Sequence, residues 1–176
     1  MAQASCLRFL LFVEVIMISL VPMTRELYHE FYKGFQNDPA IGHYYEYRYT
    51  PEIADQYFDR NSVPDRKLFA ILVDGQVIGE CKLKDIDPVK RECTLGIHLQ
   101  DNSVKGKGYG TQAEMLILRY AFEELGMTAV NAEAVLKNER SQHVLEKVGF
   151  RYICEDDTFR YYRCEGSRRL EQGERE

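Results

Sequence analysis

Residues 95–111 read LGIHLQDNSVKGKGYGT, and this stretch decides the fold that the sequence predicts. It opens with apolar residues typical of a strand, continues through a glycine-rich loop over residues 105–110 and leads into a long helix. Glycine lets the backbone approach a diphosphate closely, and the first N–H groups of a helix point toward such an anion. The order of strand, loop and helix therefore predicts an anion-binding cradle, although a plain connecting loop also uses glycine for its turns.

Two common phosphate-binding motifs do not fit this loop. A P-loop requires GxxxxGK followed by Ser or Thr, whereas Lys107 is followed by Gly108. The dinucleotide-binding motif GxGxxG would need a glycine where the chain has Thr111. The loop therefore indicates neither a nucleoside triphosphatase nor a dinucleotide-dependent enzyme.

A second informative segment begins at Asn138. It reads NERS over residues 138–141 and VLEKVGF over residues 144–150, after a strand that we predict over residues 129–135. Asn138 is a good helix N-cap and Gly149 a good helix stop. Taken alone, the segment predicts only a short helix that is followed by a strand.

Together the two segments resemble the GNAT superfamily of N-acetyltransferases, and in particular the branch that includes ribosomal-protein N-terminal acetyltransferases. The loop is similar to the family's acetyl-CoA motif Q/R-x-x-G-x-G/A, with Lys105 in the first position. The second segment is similar to the family's block N-x-x-S followed by E-K-x-G-F. The resemblance implies a mixed α/β (α+β) fold, in which a central twisted mixed sheet of about seven strands is flanked by about four helices.

The remaining chain predicts elements in the order that this fold requires. Thr24 can cap a first helix, Thr50 and Pro51 can begin a second that runs to about Arg60, and Asp74-Gly75 indicates a hairpin. We further predict strands over residues 17–22, 68–73, 76–83 and 92–99, a turn at 85–88, a long helix that ends at Gly126, a helix over 139–148 and two strands between 150 and 165.

The chain length is that of one domain. We predict that residues 1–16 form an N-terminal extension outside the core, that 17–165 form a single acetyltransferase domain, and that 166–176 form a charged, disordered tail. Residues 7–23 are mostly apolar, but Glu14 interrupts them and no small-residue cleavage site follows. The N-terminus therefore predicts neither a membrane span nor a signal peptide.

Composition narrows the partners and the location. The chain has 23 Lys and Arg against 28 Asp and Glu, and its net charge of -5 argues against binding to nucleic acid. Its five cysteines form no CxxC pair and its four histidines form no HExxH pattern. We therefore expect reduced thiols, no metal, no nucleic-acid or membrane partner and a cytoplasmic location. Relatives in the family are often dimers, which leaves a homodimer open.

The resemblance also implies how acetyl-CoA would bind as the co-substrate. Backbone N–H groups of the glycine-rich loop would hold the diphosphate, and the end of the preceding strand would diverge from its neighbour and pair with the pantetheine arm. Asn138 would hydrogen-bond that arm, and Ser141 would lie near the sulfur. The implied cofactor-binding residues are Ile97, His98, Leu99, Lys105, Gly106, Lys107, Gly108, Tyr109, Gly110, Thr111, Asn138 and Ser141.

Catalysis needs a neutral amine, so the enzyme must lower the pKa of the amine or supply a base, directly or through water. An amine with a pKa near 10.4 is neutral in only about one molecule in 2,500 at pH 7. His98 and Glu92 are the candidate bases, because their even spacing places them on one face of one strand and histidine ionises near neutral pH. A half-buried structural histidine and a solvated glutamate are the alternatives, and Glu80 is a third candidate without positional support.

The group that protonates the leaving thiolate departs from the family pattern. Many members have a tyrosine seven positions after the motif asparagine, and this chain has Leu145 there. Ser141 is the replacement that position favours, although a serine in a helix commonly bonds only the local backbone.

The sequence does not identify the acceptor amine. The segment YYEYRY over residues 44–49 would lie on the acceptor side of this fold, where its rings could receive a cation; an aromatic surface patch or an oligomer contact is an equal alternative. We expect an acetyl-CoA-dependent N-acetyltransferase that acts on a protein N-terminus or on a small-molecule amine. The alternatives are a non-catalytic acyl-CoA-binding sensor or scaffold and a plain α/β interaction domain.

Overall fold

The computed structural model describes residues 18–38, 41 and 48–166. Within these residues the chain forms seven strands and four α-helices. In chain order they are β1 (Ile18–Pro22), α1 (Arg25–Gly34), α2 (Pro51–Asn61), β2 (Lys67–Val73), β3 (Gln76–Asp87), β4 (Glu92–Leu99), α3 (Tyr109–Arg119), β5 (Ala129–Val135), α4 (Glu139–Lys147), β6 (Arg151–Glu155) and β7 (Phe159–Glu165). The predicted extension over residues 1–16, most of the tyrosine-rich segment and nearly all of the predicted tail lie outside the described residues.

The seven strands form one sheet in the order β1-β2-β3-β4-β5-β7-β6. Five of the six neighbouring pairs are antiparallel, and β4 and β5 form the parallel pair. A parallel pair needs a long crossover, which α3 supplies between these two strands. The predicted mixed α/β fold with a seven-stranded sheet and four helices is confirmed.

Apolar side chains project from both faces of the sheet, since neighbouring strand residues point to opposite sides. On β2, Ala70 packs with Tyr28 and Phe31 of α1, whereas the next residue, Ile71, packs with Ile117 of α3. The sheet is therefore the middle of three layers, with α1 and α2 on one face and α3 and α4 on the other. This arrangement leaves two distinct faces on which a site can be built.

The two N-terminal helices begin where the sequence predicts. The Thr24 hydroxyl accepts a hydrogen bond from the Leu27 N–H at 3.3 Å, and the Thr50 hydroxyl accepts one from the Ile53 N–H at 3.2 Å. Pro51 occupies the first turn of α2, where its missing N–H costs nothing. Each start is encoded within four residues of sequence.

The turn predicted at residues 85–88 is wrong. β3 continues to Asp87, which pairs with Glu92, and the strand passes an irregularity at Asp85, whose φ is 54°. The turn follows instead, and Asp87 Oδ1 closes it by accepting bonds from the N–H groups of Val89 and Lys90, both at 2.9 Å. A bulge absorbs the turn-forming Asp85 without ending the strand.

The long helix after the glycine-rich loop has a modified end. Its regular part stops at Arg119, and a π-helical segment, Tyr120–Glu124, continues it until Gly126 turns the chain with a φ of 64°. The predicted stop at Gly126 is confirmed.

Candidate active site

The parallel pair at the centre of the sheet opens toward the carboxyl ends of its strands. β4 pairs with β5 from Glu92 to Leu95, yet both strands continue, to Leu99 and Val135 respectively. The other edge of β4 stays paired with β3 as far as Leu99. On the β5 side, the backbone of β4 beyond Leu95 therefore has no strand partner among the described residues. This is the divergence predicted for Ile97, His98 and Leu99.

The glycine-rich loop connects the end of β4 to the start of α3. Gly106 and Gly108 have φ values of 76° and 81°, which side chains rarely adopt, and a Cβ on Gly106 would meet nothing within 4 Å. Gly108 is the N-cap of α3 and offers no side-chain cap. The first N–H groups of the helix, at Tyr109, Gly110 and Thr111, have no acceptor within the helix and can bind an anion.

The two lysines of the loop differ in what they can reach. Lys105 Nζ lies 3.2 Å from Asp38 Oδ2, and both side chains are largely buried. Its charge is thus already paired, whereas Lys107 is exposed on the loop. The backbone of Lys105 stays part of the predicted cradle, but its ammonium joins the loop to the segment that follows α1.

Gly108→Ala is expected to weaken acetyl-CoA binding by about tenfold or more, because a side chain disfavours the left-handed backbone geometry that Gly108 adopts at the start of α3. Gly75→Ala is the matched control, since Gly75 also has a positive φ, of 78°, but lies in the β2–β3 hairpin. Both variants should lose about 1–2 kcal/mol of stability from backbone strain. Calorimetric titration with acetyl-CoA checks this, and equal affinities for the two variants would contradict the cradle.

His98 lies on β4 directly opposite Glu80 of β3. His98 Nδ1 is 3.0 Å from Glu80 Oε1, and the same oxygen accepts a hydrogen bond from the Tyr32 hydroxyl at 3.0 Å. Lys82 Nζ is 3.5 Å from it as well. Glu80 is completely buried, while 40% of the His98 side chain is exposed. Glu80, the third candidate base, is therefore in direct contact with His98.

The electrostatics of this cluster determine which groups carry protons. Burial raises the pKa of Glu80, but the hydrogen bond from His98 and the charge of Lys82 outweigh it and hold that pKa at about 2. Burial and the charge of Glu80 raise the pKa of Tyr32 far above its ordinary value, so its hydroxyl remains a donor. A buried, ionised carboxylate can stand here because it is charge-paired and hydrogen-bonded.

Glu92, the other predicted base, lies at the opposite end of β4. It forms a two-point ion pair with Arg163 of β7, with N···O distances of 2.6 and 3.0 Å, and this pair lowers its pKa. His98 is six positions further along β4, which corresponds to about 20 Å between the two Cα atoms. The two candidates share a face of β4, as predicted, but the structure does not bring them together.

The second motif builds the start of α4. Asn138 Oδ1 caps this helix by accepting a bond from the Ser141 N–H at 3.1 Å, which leaves the amide nitrogen of Asn138 as the group able to reach a ligand. Ser141 is half-buried in the first turn. Leu145, at the position of the family's tyrosine acid, is 3% exposed and packs in the main core. Ser141 in the first turn therefore remains the candidate acid on this helix.

The described residues contain neither a metal-binding cluster nor a membrane-spanning helix. No three of their His, Cys, Asp or Glu side chains are arranged to hold a metal ion. None of the helices in residues 18–38 and 48–166 is both long and apolar enough to span a membrane. Cys81, Cys93, Cys154 and Cys164 are free thiols.

The sheet of this α/β domain thus opens beside an uncapped, glycine-rich helix start, an arrangement suited to binding the phosphates of a ligand. Residues 18–151 match the family described as "Acetyltransferase (GNAT) domain". Because this match covers well over half of the sequence, the chain belongs to the GNAT acetyltransferase family.

Individual relatives agree with this membership. The chain is 32% identical over 116 residues to the protein named "Putative ribosomal N-acetyltransferase YdaF" of Bacillus subtilis (strain 168), a match that covers 66% of this chain and 61% of that protein. The chain thus spans about three fifths of that relative's length. The fold of this chain is similar to that of a spermidine N-acetyltransferase from Vibrio cholerae in complex with CoA and spermine. The TM-score is 0.75 and the sequence identity is 16%, and the match covers 87% of this chain and 98% of the other. At that identity the likeness concerns the fold.

Proposed function

We propose that this chain transfers the acetyl group of acetyl-CoA to a primary amine, and that the preferred acceptor is the α-amino group of a peptide or protein. The observation that carries the proposal is the position of His98. His98 lies on β4 beyond the last residue that pairs with β5, and Glu80 holds Nδ1 of its ring. Membership of the GNAT family supports the same reaction.

The proposed binding of acetyl-CoA uses the two open backbone surfaces. The N–H groups of residues 105–111 hold the diphosphate, and the backbone of Ile97, His98 and Leu99 pairs with the pantetheine arm. Acetyl-CoA supplies a thioester: the new C–N bond forms, the C–S bond breaks, and the electron pair leaves with sulfur. The strand N–H groups can also polarise the thioester carbonyl, a contribution of a few kcal/mol in other acyl transfers.

The protons are handled by two side chains of this chain. His98 Nε2 accepts the proton that the amine nitrogen loses as the C–N bond forms. The Ser141 hydroxyl, at the start of α4, hydrogen-bonds the departing sulfur, which takes its proton from this hydroxyl or from water. Glu92 has no part in this proposal, because Arg163 already neutralises it at the far end of β4.

The charges around the opening favour an acceptor with a single positive charge. On the described part of this sheet face, Glu80 is bound to His98, Glu92 to Arg163 and Glu133 to Lys84, the last at 3.0 Å. A polyamine would need carboxylates that are not already paired. An α-amino group has a pKa near 8, so at pH 7 it is neutral about 200 times more often than a lysine-like amine.

We expect peptides with a free N-terminus to be acetylated with a kcat/KM about two orders of magnitude above that of spermidine at pH 7, since more of their amine is neutral. Thiol release measures the rates over a panel of peptides and polyamines. A peptide with a blocked N-terminus and an internal lysine is the matched control and should be a poor acceptor. Faster turnover of spermidine than of every free peptide would contradict the acceptor class.

A second candidate function is a non-catalytic acyl-CoA-binding domain, which Leu145 favours because it leaves no tyrosine acid on α4. This function predicts a rise in melting temperature with acetyl-CoA, but not with ATP or NAD, together with no thiol release on any amine. Thiol release with any acceptor would exclude it.

We also propose a cytoplasmic location and a homodimer. The free thiols support the location.

A further inference from the structure

We propose that Glu80 is a positioning residue that fixes the imidazole of His98 as the Nδ1–H tautomer and leaves Nε2 as the base, with Tyr32 holding Glu80 from α1. This inference rests on the proposed role of His98. It assigns a task to a carboxylate that lies on a neighbouring strand and that no acceptor or acetyl-CoA needs to touch.

The tautomer follows from the donors and acceptors around Glu80. An ionised carboxylate only accepts hydrogen bonds, so the Nδ1 atom that lies 3.0 Å from Glu80 Oε1 must carry a proton. In the neutral ring the other nitrogen, Nε2, then has its lone pair available for the proton of the amine. Without this contact, the proton could sit on either nitrogen, and one of the two arrangements has no base at the opening.

The packing holds Glu80 in place from three elements. Tyr32 reaches it from α1, and Lys82 reaches it along β3. The stem of Lys82 lies over Gly96, where an added Cβ would be 3.2 Å from Lys82 Cε. On β4, the ring of His98 also meets the edge of Phe35, with centroids 6.1 Å apart. The orientation of His98 is therefore set by contacts from α1 and β3 before any substrate binds.

Among the described residues, the charged and titratable groups that face His98 come from two elements. From β3 they are Glu80 and Lys82, and from α1 Tyr32 is the titratable group. Within that part of the chain, Glu80 is the charged group in direct contact with the ring. Replacing Glu80 should therefore change the tautomer balance of the ring more than replacing Lys82 or Tyr32.

The test compares Glu80→Gln with wild type and with Glu133→Gln, a control that removes a carboxylate paired with Lys84 on the same sheet face. Glutamine keeps the shape but can donate as well as accept, so it no longer selects one tautomer. We expect kcat to fall by about 100-fold with little change in KM. A purely structural role would lower activity through stability and leave the tautomer of the His98 ring unchanged.

Nitrogen-15 NMR of the histidine rings gives an independent readout that needs no acceptor. The His98 signal, identified by its absence in His98→Gln, should report the Nδ1–H tautomer in wild type and a mixture in Glu80→Gln. Tyr32→Phe, which removes only the hydroxyl, should show a smaller effect of the same kind. The Nε2–H tautomer in wild type would overturn the proposal even if Glu80→Gln does not fold, and so would an unchanged tautomer in a folded Glu80→Gln. A wild type with the expected tautomer but without turnover would instead contradict the proposed function.

Discussion

His98→Gln is expected to lower kcat/KM for the best acceptor by about 10²- to 10⁴-fold, the range observed for loss of a general base. Glutamine can still donate a hydrogen bond to Glu80 through its amide N–H, but it has no nitrogen that takes a proton at neutral pH. The backbone of residue 98, which is proposed to pair with the pantetheine arm, stays in place. The affinity for acetyl-CoA should therefore change little, so the loss appears in turnover and not in co-substrate binding.

The measurement is steady-state kinetics by thiol release, paired with calorimetric titration of acetyl-CoA. His143→Gln is the matched control, because His143 is exposed on α4. Glu92→Gln is measured in the same assay, since the sequence predicts Glu92 as a second candidate base. A larger loss in Glu92→Gln than in His98→Gln would contradict the assignment of the base to His98.

Glu114→Gln is expected to stabilise the protein at pH 7 by about 3 kcal/mol, which corresponds to several degrees in melting temperature. Glu114 lies on α3, is 1% exposed and has a carboxylate oxygen, Oε2, without a hydrogen-bond partner among the described residues. Burial raises its pKa from an ordinary 4.5 to about 8. The folded protein thus keeps a proton that the unfolded chain releases.

The sign of the pH dependence follows from this difference. Between about pH 4.5 and 8 the folded state binds more protons than the unfolded state, so the contribution of Glu114 to stability falls as the pH rises. The advantage of Glu114→Gln should therefore vanish near pH 4.5 and be largest at pH 8. Chemical denaturation at several pH values measures it, with Glu123→Gln, an exposed glutamate beyond the same helix, as the control. A stability difference that does not vary with pH would contradict the buried, protonated state of Glu114.

Most secondary structure could be predicted because its signals are local. Thr24 and Thr50 cap helices within three residues of themselves, and Asp74 with Gly75 adopts the positive φ values that a tight hairpin needs. The turn at Asp85 was mispredicted for the complementary reason. Whether a turn-forming residue ends a strand or sits in a bulge depends on what the partner strand offers, and here Glu92 pairs with Asp87 beyond it.

The contacts that define the candidate site could not be predicted in the same way. Glu80 and His98 are 18 residues apart, Asp38 and Lys105 are 67 apart, and Glu92 and Arg163 are 71 apart. Each pair depends on strand order, register or the seating of a helix on the sheet. A sequence pattern with a period of two places a residue on a face, but it does not say which residue stands opposite.

By itself, the sequence determined the order of the elements, the two-segment resemblance to the acetyltransferases and the backbone cradle, because glycines, caps and apolar periodicity act over a few residues. What surrounds each of the three candidate bases was visible in the tertiary structure alone. Folding buries Glu80 against His98 and pairs Glu92 with Arg163, and the proton state of a side chain is set by the charges and the burial that folding brings to it.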